Sequence, residues 1–363
     1  MLKKLFGKSE SLLAIDVGST SVKMVELDLS GPTPSLVNIA LTPVSAGIIS
    51  NNMLEGGSEV AEHVSSMLEA NNIVGKRVVL AMPGPSVFTK VVPMQNMEER
   101  EIVSNLQFEA SNYIPHDIDA VRMDYHIIGP SAKNQLDVLL IAVKNEIIES
   151  YLDAISLSGL DVAIVDVDYF ALQNMFEQNY PEYLSETVAL VNVGARFTGI
   201  NICRNGQSLF TGDVSVGGQA LSEDISEQLG ISVEEAEALK RSKVRDGEQQ
   251  ETVIELCDKS SEECAAELHR QLSFFWNAAG RGDEGIDRIM LCGGGALLPG
   301  LLEELSSKTG IECALLNPFR TIECGSGFDA EYLGEIACQM GVAIGLGLRQ
   351  PGDRVPYEEV AES

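Results

Sequence analysis

Two short stretches of this 363-residue chain carry residue types suited to holding a phosphate. In the first, Asp16 ends an apolar run and is followed by Gly18, Ser19 and Thr20, with Lys23 a little further on. Small residues let backbone N–H groups approach an anion, a carboxylate can order Mg²⁺ through its water shell, and the Lys23 ammonium adds a cation near the same point. In the second, Asn192, Gly194 and Ala195 repeat the arrangement near mid-chain. Two such turns facing one another across a cleft would clamp a polyphosphate from both sides. Either one alone reads equally well as a plain hairpin whose Asp or Asn bonds its own turn; it is the pair that points to phosphate.

Such turns need strands to aim them. Leu13 to Leu27 reads as a buried strand, a tight turn and a second strand, and Val188 to Ile202 repeats that order, so Asp16 corresponds to Asn192 and Gly18 to Gly194. Each opening heads about half of the chain, which predicts two lobes of common ancestry. A helix is predicted over 58–72, with Val60, Val64, Met67 and Leu68 on one face, and another after Asn96, with Ile102, Leu106 and Ala110 as its apolar stripe. Strand-like Arg77–Met82, Ser86–Val92, Val121–Ile128 and Leu136–Val143 surround that second helix, so residues 84–165 are predicted to form a small α/β insertion.

In the second half, Gly217 and Gly218 precede a helix closed by Gly230, and Ser232 with Glu235 has capping-box spacing. Ile286 to Cys292 reads as a strand, Gly293 to Gly295 as a flexible loop, Pro299 to Leu305 as a short helix, and Ile336 to Leu348 as a last helix whose small residues allow close packing. The glycine triplet has Leu298 where a dinucleotide fingerprint requires Gly or Ala, so a Rossmann site is not supported. A flat nucleobase lying against glycine backbone is the other use for it. Glu237 and Lys240 are either ribose and base contacts or an exposed surface pair on one helix.

Composition narrows the classes. Lys and Arg total 25 against 54 Asp and Glu, a net charge of −29, which argues against gripping nucleic-acid phosphates. No stretch reaches the ~18 apolar residues of a membrane helix. The basic Leu2 to Lys8 segment is too short for a signal peptide and reads as a disordered terminus. Seven cysteines without a CxxC pair predict a reducing, cytoplasmic setting, and four scattered histidines predict no histidine metal centre.

Taken in order, Asp-x-Gly-Ser-Thr…Lys at 16–23, Asn-x-Gly-Ala at 192–195, Gly217-Gly218 followed by Ala236-Glu-Ala-Leu-Lys240, and Gly-Gly-Gly-Ala-Leu-Leu-Pro-Gly at 293–300 resemble the phosphate and adenosine motifs of the actin-like ATPase superfamily. Glu109-Ala-Ser-Asn-Tyr-Ile-Pro115 with Asp124-Tyr125 resembles the subdomain of the PilM family of type IV pilus assembly proteins, relatives of the division protein FtsA. Asp166 to Ala171 resembles that group's first connecting helix.

The resemblance implies an α/β, actin-like ATPase fold: two RNase H-like lobes around a nucleotide cleft, with a small α/β subdomain inserted in the first lobe. The first lobe would span 1–186 (insertion 84–165) and the second 187–335, with nucleotide-binding helices at 220–270. A helix at 336–350 would return to the first lobe, ahead of a flexible tail at 351–363. The implied cofactors are ATP and Mg²⁺. Asp16 would order the metal's waters, while Gly18, Ser19, Thr20 and Lys23 meet the phosphates. Gly194 and Ala195 would form the second phosphate turn, Gly217, Gly218, Glu237 and Lys240 would approach ribose and adenine, and Gly293, Gly294 and Gly295 would line the nucleoside. Asp168 aligns with an acid near the attacking water; on its residues alone it is equally a helix N-terminal acid.

One position departs from the family pattern. Asn192 stands where many relatives have Asp. Its amide oxygen can hold a hydrated cation through water but brings no charge and takes no proton, so at most slow hydrolysis is expected. The implied partner is the N-terminal cytoplasmic peptide of PilN, within the pilus inner-membrane platform, with the chain cytoplasmic and peripheral to that membrane. The rival readings are a small-molecule kinase on the same fold and an FtsA-like filament-forming ATPase.

Overall fold

The computed structural model describes residues 11–353 apart from 75, 98, 132–134, 243–247 and 279–284; the Leu2 to Lys8 segment and most of the tail expected at 351–363 lie outside the described residues. The chain opens with β1 (Leu13–Val17), β2 (Ser21–Asp28) and β3 (Ser35–Pro43), a hairpin of β4 (Ile49–Ser50) and β5 (Met53–Leu54), then α1 (Gly57–Ala70) and β6 (Arg77–Met82). Next come β7 (Val87–Gln95), α2 (Glu99–Tyr113), β8 (Val121–Ser131) and β9 (Gln135–Lys144), followed by α3 (Asn145–Leu157), β10 (Asp161–Val167) and α4 (Asp168–Asn179). The second half contains β11 (Val188–Val193), β12 (Thr198–Arg204), β13 (Gln207–Val214), α5 (Gly218–Leu229), α6 (Val233–Arg241) and α7 (Glu248–Ala278). It continues with β14 (Arg288–Cys292), α8 (Leu301–Thr309), β15 (Glu312–Leu315), α9 (Ala330–Ile336) and α10 (Gly341–Gly347).

These strands build two five-stranded sheets of one topology, β3-β2-β1-β6-β10 and β13-β12-β11-β14-β15. In both, the first three strands are antiparallel neighbours and the last two are added in parallel. The central strands β1, β6, β11 and β14 are covered on both faces, which is why they read as nearly unbroken apolar runs rather than alternating ones. Helices α1 and α3 cover one face of the first sheet, where Val60, Val64, Ile147 and Ile155 meet Ile15, Met24 and Leu80.

On the other face α4 and α10 lie in a single core shared by both sheets, joining Ala14, Val25 and Val79 to Leu190, Ile200 and Ile289. A Cβ at Gly345 of α10 would overlap the Ala171 carbonyl of α4, so the two helices cross at a distance only glycine permits. The insertion forms a separate three-stranded sheet, β7-β9-β8, with α2 laid on it; it is shorter than the 84–165 expected, because α3 packs on the first sheet and β10 pairs with β6 within it. Its core of Val92, Ile102, Leu106, Ala110, Val138 and Leu140 is closed by the stripe predicted for that helix.

Two predicted elements differ. The segment after β14 is not a flexible loop: Gly293 sits at φ +86° and Gly294–Leu297 winds into a 3₁₀ turn. The helix expected from 336 onward is broken, with a 3₁₀ turn at Ala337–Gln339 separating α9 from α10. The Cys338 carbonyl accepts from Gly293 N at 2.6 Å, which diverts it from the helical ladder. Beyond α10, Arg349 pairs with Asp166 of β10 at 2.6 Å and Asp353 at 3.0 Å, fastening the end of the helix to the first sheet. All seven cysteines are free, and Cys324 is the exposed one.

Candidate functional site

The first turn is drawn tight by Gly18 N donating to Ser21 O at 3.0 Å, and a Cβ on Gly18 would stand only 3.2 Å from Lys23 Nζ. Asp16 and Lys23 are cross-strand partners of β1 and β2, and their side chains form an ion pair at 3.0 Å. The second turn has the same construction, Gly194 N donating to Phe197 O at 3.0 Å, but the partner of Asn192 across β11 and β12 is Gly199. Lys23 therefore has no counterpart in the second hairpin.

Around the second turn the fold gathers the other predicted glycines. Gly218 N donates to Gly194 O at 3.0 Å and Gln219 N to Ala195 O at 2.8 Å, seating the start of α5 on the turn. A Cβ on Gly295 would meet Val193, and one on Gly293 would lie 2.6 Å from Asn192 Oδ1. Gly218 and Gly295 are themselves neighbours, a Cβ on the former standing 3.7 Å from the Cα of the latter. Three glycine-bearing loops thus pack together, and a Cβ at Gly217, Gly293 or Gly295 would overlap a neighbouring loop.

Glu237 and Lys240 belong to that gathering and are not an isolated surface pair. Lys240 Nζ donates to Gly218 O at 2.9 Å and Ser222 Oγ at 2.8 Å and pairs with Glu237 at 2.5 Å. The capping box of Ser232 and Glu235 that opens α6 is fully formed, fixing the helix from which both project. Burial would raise the Glu237 carboxyl, but its hydrogen bonds to Lys240 and Ser222 outweigh that and hold it below the usual carboxylate range.

Between the lobes stands the first turn of α4. Asp168 Oδ1 is sealed from solvent with no hydrogen-bond partner, and burial pushes the carboxyl up to about 8. Backbone N–H groups of Gly84 and Tyr169 oppose the rise, while the charges of Asp213 and Asp16 add to it. Asp168 shares a small cavity with Asn192, Tyr169 and Asn201. The charge of Asp16 is felt at Asp168 and at Cys292, and Cys292 is the register partner of Asn192 in the parallel pair β11–β14.

Sequence reasoning missed several residues here. The Tyr169 ring lies against Gly84 and Gly199, and its hydroxyl donates to Asp213 of β13. The Tyr151 hydroxyl of α3 is buried without a partner, and the charges of Asp16 and Asp168 reach it. Arg196, on the second turn, reaches across the cleft and donates from NH1 to Ile49 O of the β4–β5 hairpin at 2.7 Å. An aspartate on a strand and an arginine in a turn carry no motif; only a residue-by-residue superposition of the two hairpins would have singled out Arg196. Among the described residues no three His, Cys, Asp or Glu side chains converge as a metal site, and no helix is long and apolar enough to cross a membrane.

Known proteins share this architecture. A family model for type IV pilus assembly protein PilM matches residues 14–351. The PilM-PilN type IV pilus biogenesis complex contains a chain that superposes at TM-score 0.83 with 25% identity, covering 93% of this chain and 98% of that one. MreB5 of Spiroplasma citri bound to ADP superposes at TM-score 0.53 with 11% identity, covering 93% and 95%. The fold is that of the actin-like ATPases. Cell division protein FtsA of Bacillus subtilis is 21% identical over 257 residues, 64% of this chain and 58% of that protein's length, so the match spans less than two thirds of this relative.

Proposed function

The chain belongs to the type IV pilus assembly protein PilM family, and from that premise we propose that it is an ATP-binding, actin-like adaptor of the pilus inner-membrane platform. The observation that supports the nucleotide half is the pair of matched turns, at 18–21 and 194–197, each closing the first hairpin of a sheet of the same topology. Support comes from the glycines at 194, 217–218 and 293–295, which let three backbone loops pack against one another where a Cβ at Gly217, Gly293 or Gly295 would overlap its neighbour.

In this reading Asp16 holds the water shell of Mg²⁺, with Asn192 bonding that shell from the other wall. Gly18, Ser19, Thr20, Lys23, Gly194 and Ala195 meet the phosphates. Gly217, Gly218, Glu237 and Lys240 hold the ribose and base, and Gly293 to Gly295 line the nucleoside. Bound Mg²⁺ would neutralise charge on the terminal phosphates. The neutral Asn192 brings no charge to the metal and takes no proton, which favours a nucleotide-held scaffold over a turnover enzyme.

The domain division follows the same reading, with a first lobe at 1–186 carrying β7, α2, β8 and β9 as its insertion, a second at 187–335, and a returning helix thereafter. Its partner is the N-terminal cytoplasmic tail of PilN, which places the chain in the cytoplasm at the inner membrane. A surface of net charge −29 favours a basic tail.

Thermal unfolding with and without Mg-ATP tests the nucleotide half. Occupancy at a hundred times Kd adds ~2.7 kcal/mol, and Asp16→Ala should remove most of that gain. A wild-type chain that neither shifts nor carries co-purified ATP would defeat it. Titration with a PilN tail peptide tests the partner half, and absence of binding to nucleotide-loaded protein would refute it.

A further inference from the structure

The two phosphate turns can be compared residue by residue. Each is closed by an N–H to C=O bond of 3.0 Å between its first and last positions, and each sits between a terminal strand pair, Val17 with Val22 and Val193 with Thr198. Ser19 therefore corresponds to Ala195, Thr20 to Arg196 and Lys23 to Gly199. The second turn lacks the two hydroxyls and the ammonium of the first. It carries an arginine instead, at a position where the first turn has one of its phosphate-facing candidates.

Arg196 is exposed, unlike Lys23, which is buried and committed to Asp16. Its NH1 donates to Ile49 O, on the opposite side of the cleft, and its guanidinium stands 6.0 Å from the ring of its neighbour Phe197. Among the described residues no carboxylate pairs with it. A guanidinium has five N–H donors in a planar fork, so a single bond to a carbonyl leaves the others available. That fork matches two phosphate oxygens at once, which an ammonium cannot do. The β4–β5 hairpin that receives NH1 is itself well fixed: Asn51 and Asn52 adopt the left-handed conformation at φ +50° and +65°, and Asn52 donates to Pro85 O at 3.0 Å. The arginine thus ties the second turn to the β4–β5 hairpin through one donor and keeps the rest of its fork for a ligand.

We infer that Arg196 is a phosphate-contacting residue of the cleft, taking the terminal phosphates of a nucleoside triphosphate and thereby favouring it over the monophosphate. The inference rests on the nucleotide reading of the cleft. It assigns the second lobe a cation of its own, where Asn192 supplies no charge.

Calorimetric titration of the full chain with Mg-ATP, Mg-ADP and AMP, at low and high salt, tests this in the wild type, Arg196→Ala and Arg196→Lys. Loss of a charge-assisted contact should weaken ATP by about tenfold to a hundredfold in Arg196→Ala, weaken ADP less and leave AMP unchanged. Arg196→Lys should recover part of the loss, and the salt dependence of ATP binding should fall in Arg196→Ala. An unchanged ATP-to-AMP preference in Arg196→Ala, with the wild type binding ATP, overturns the inference and leaves the nucleotide reading intact. Equal weakening for all three ligands also overturns it, reducing Arg196 to a tie between lobes. A wild type that binds none of them refutes the nucleotide reading itself, and the inference with it.

Discussion

The two lobes share a strand order and differ at the strand ends. In the first, Asp16 faces Lys23 in a buried ion pair; in the second, Asn192 faces Gly199, and the space beside Gly199 is taken by the Tyr169 ring. They also grow in different places. The first lobe inserts β7, α2, β8 and β9 after β6, whereas the second places α5, α6 and α7 between β13 and β14. The repeated apolar strands determine the scaffold, and a handful of positions at the strand ends decide what each wall can hold. A charged wall and a neutral one have been built on the same backbone.

The strongest test of that shared scaffold is the helix crossing between the lobes. Gly345→Ala puts a methyl onto the Ala171 carbonyl, and a loss beyond ~4 kcal/mol, the range of gross packing failure, is expected in chemical denaturation. A loss below about 1 kcal/mol would show that α4 and α10 separate easily. Next comes the contrast between the walls. Asp16→Ala strands the Lys23 ammonium and should cost ~3 kcal/mol, whereas Asn192→Ala removes no ion-pair partner and should cost under about 1 kcal/mol. Equal costs would erase the distinction.

Restoring charge sharpens it. Asn192→Asp should raise Mg²⁺-dependent ATP affinity by about tenfold, ~1.4 kcal/mol, read by calorimetry with and without EDTA. The pH dependence probes the shared boundary. Unfolded, Asp168 loses its proton near 3.8; folded, it keeps it to about 8. The unfolded chain binds fewer protons across that window, so this group makes stability fall as pH rises through it, by up to ~1.4 kcal/mol per pH unit. Asp168→Asn should flatten the slope measured by urea midpoints from pH 5 to 8. The smallest effect is confined to the second lobe. Ser232→Ala breaks the capping box of α6 and should cost about 1 kcal/mol, with Glu237 and Lys240 displaced and the first-lobe hairpin unchanged in hydrogen exchange.

Much of the scaffold was legible because its signals are local. The strand–turn–strand repeat, the α2 stripe and the Ser232–Glu235 cap each lie within a few residues, and Gly230 adopts the left-handed conformation, φ +65°, expected beyond α5. What escaped depends on distant partners. The break before α10 arises because Gly293, far upstream, takes the Cys338 carbonyl, and the 3₁₀ turn after β14 is shaped by the same contact. Tyr169 and Asp213 lie 44 residues apart, and no spacing rule joins them. The candidate site residues stand out in the sequence as small or charged residues near strand ends; that Lys23 pairs with Asp16, while Arg196 bonds the β4–β5 hairpin, is settled only by the fold.

One consequence concerns the lone surface thiol. Glu323, next to Cys324, exchanges backbone bonds of 2.9 Å with Pro34 and Leu36 at the margin of β3, so the second half of the chain is stitched to the first sheet beside that sulfur. A maleimide dye would react there ahead of the sheltered cysteines. It would sit on the seam and report, through its emission, any hinging of the two halves when a nucleotide or peptide arrives.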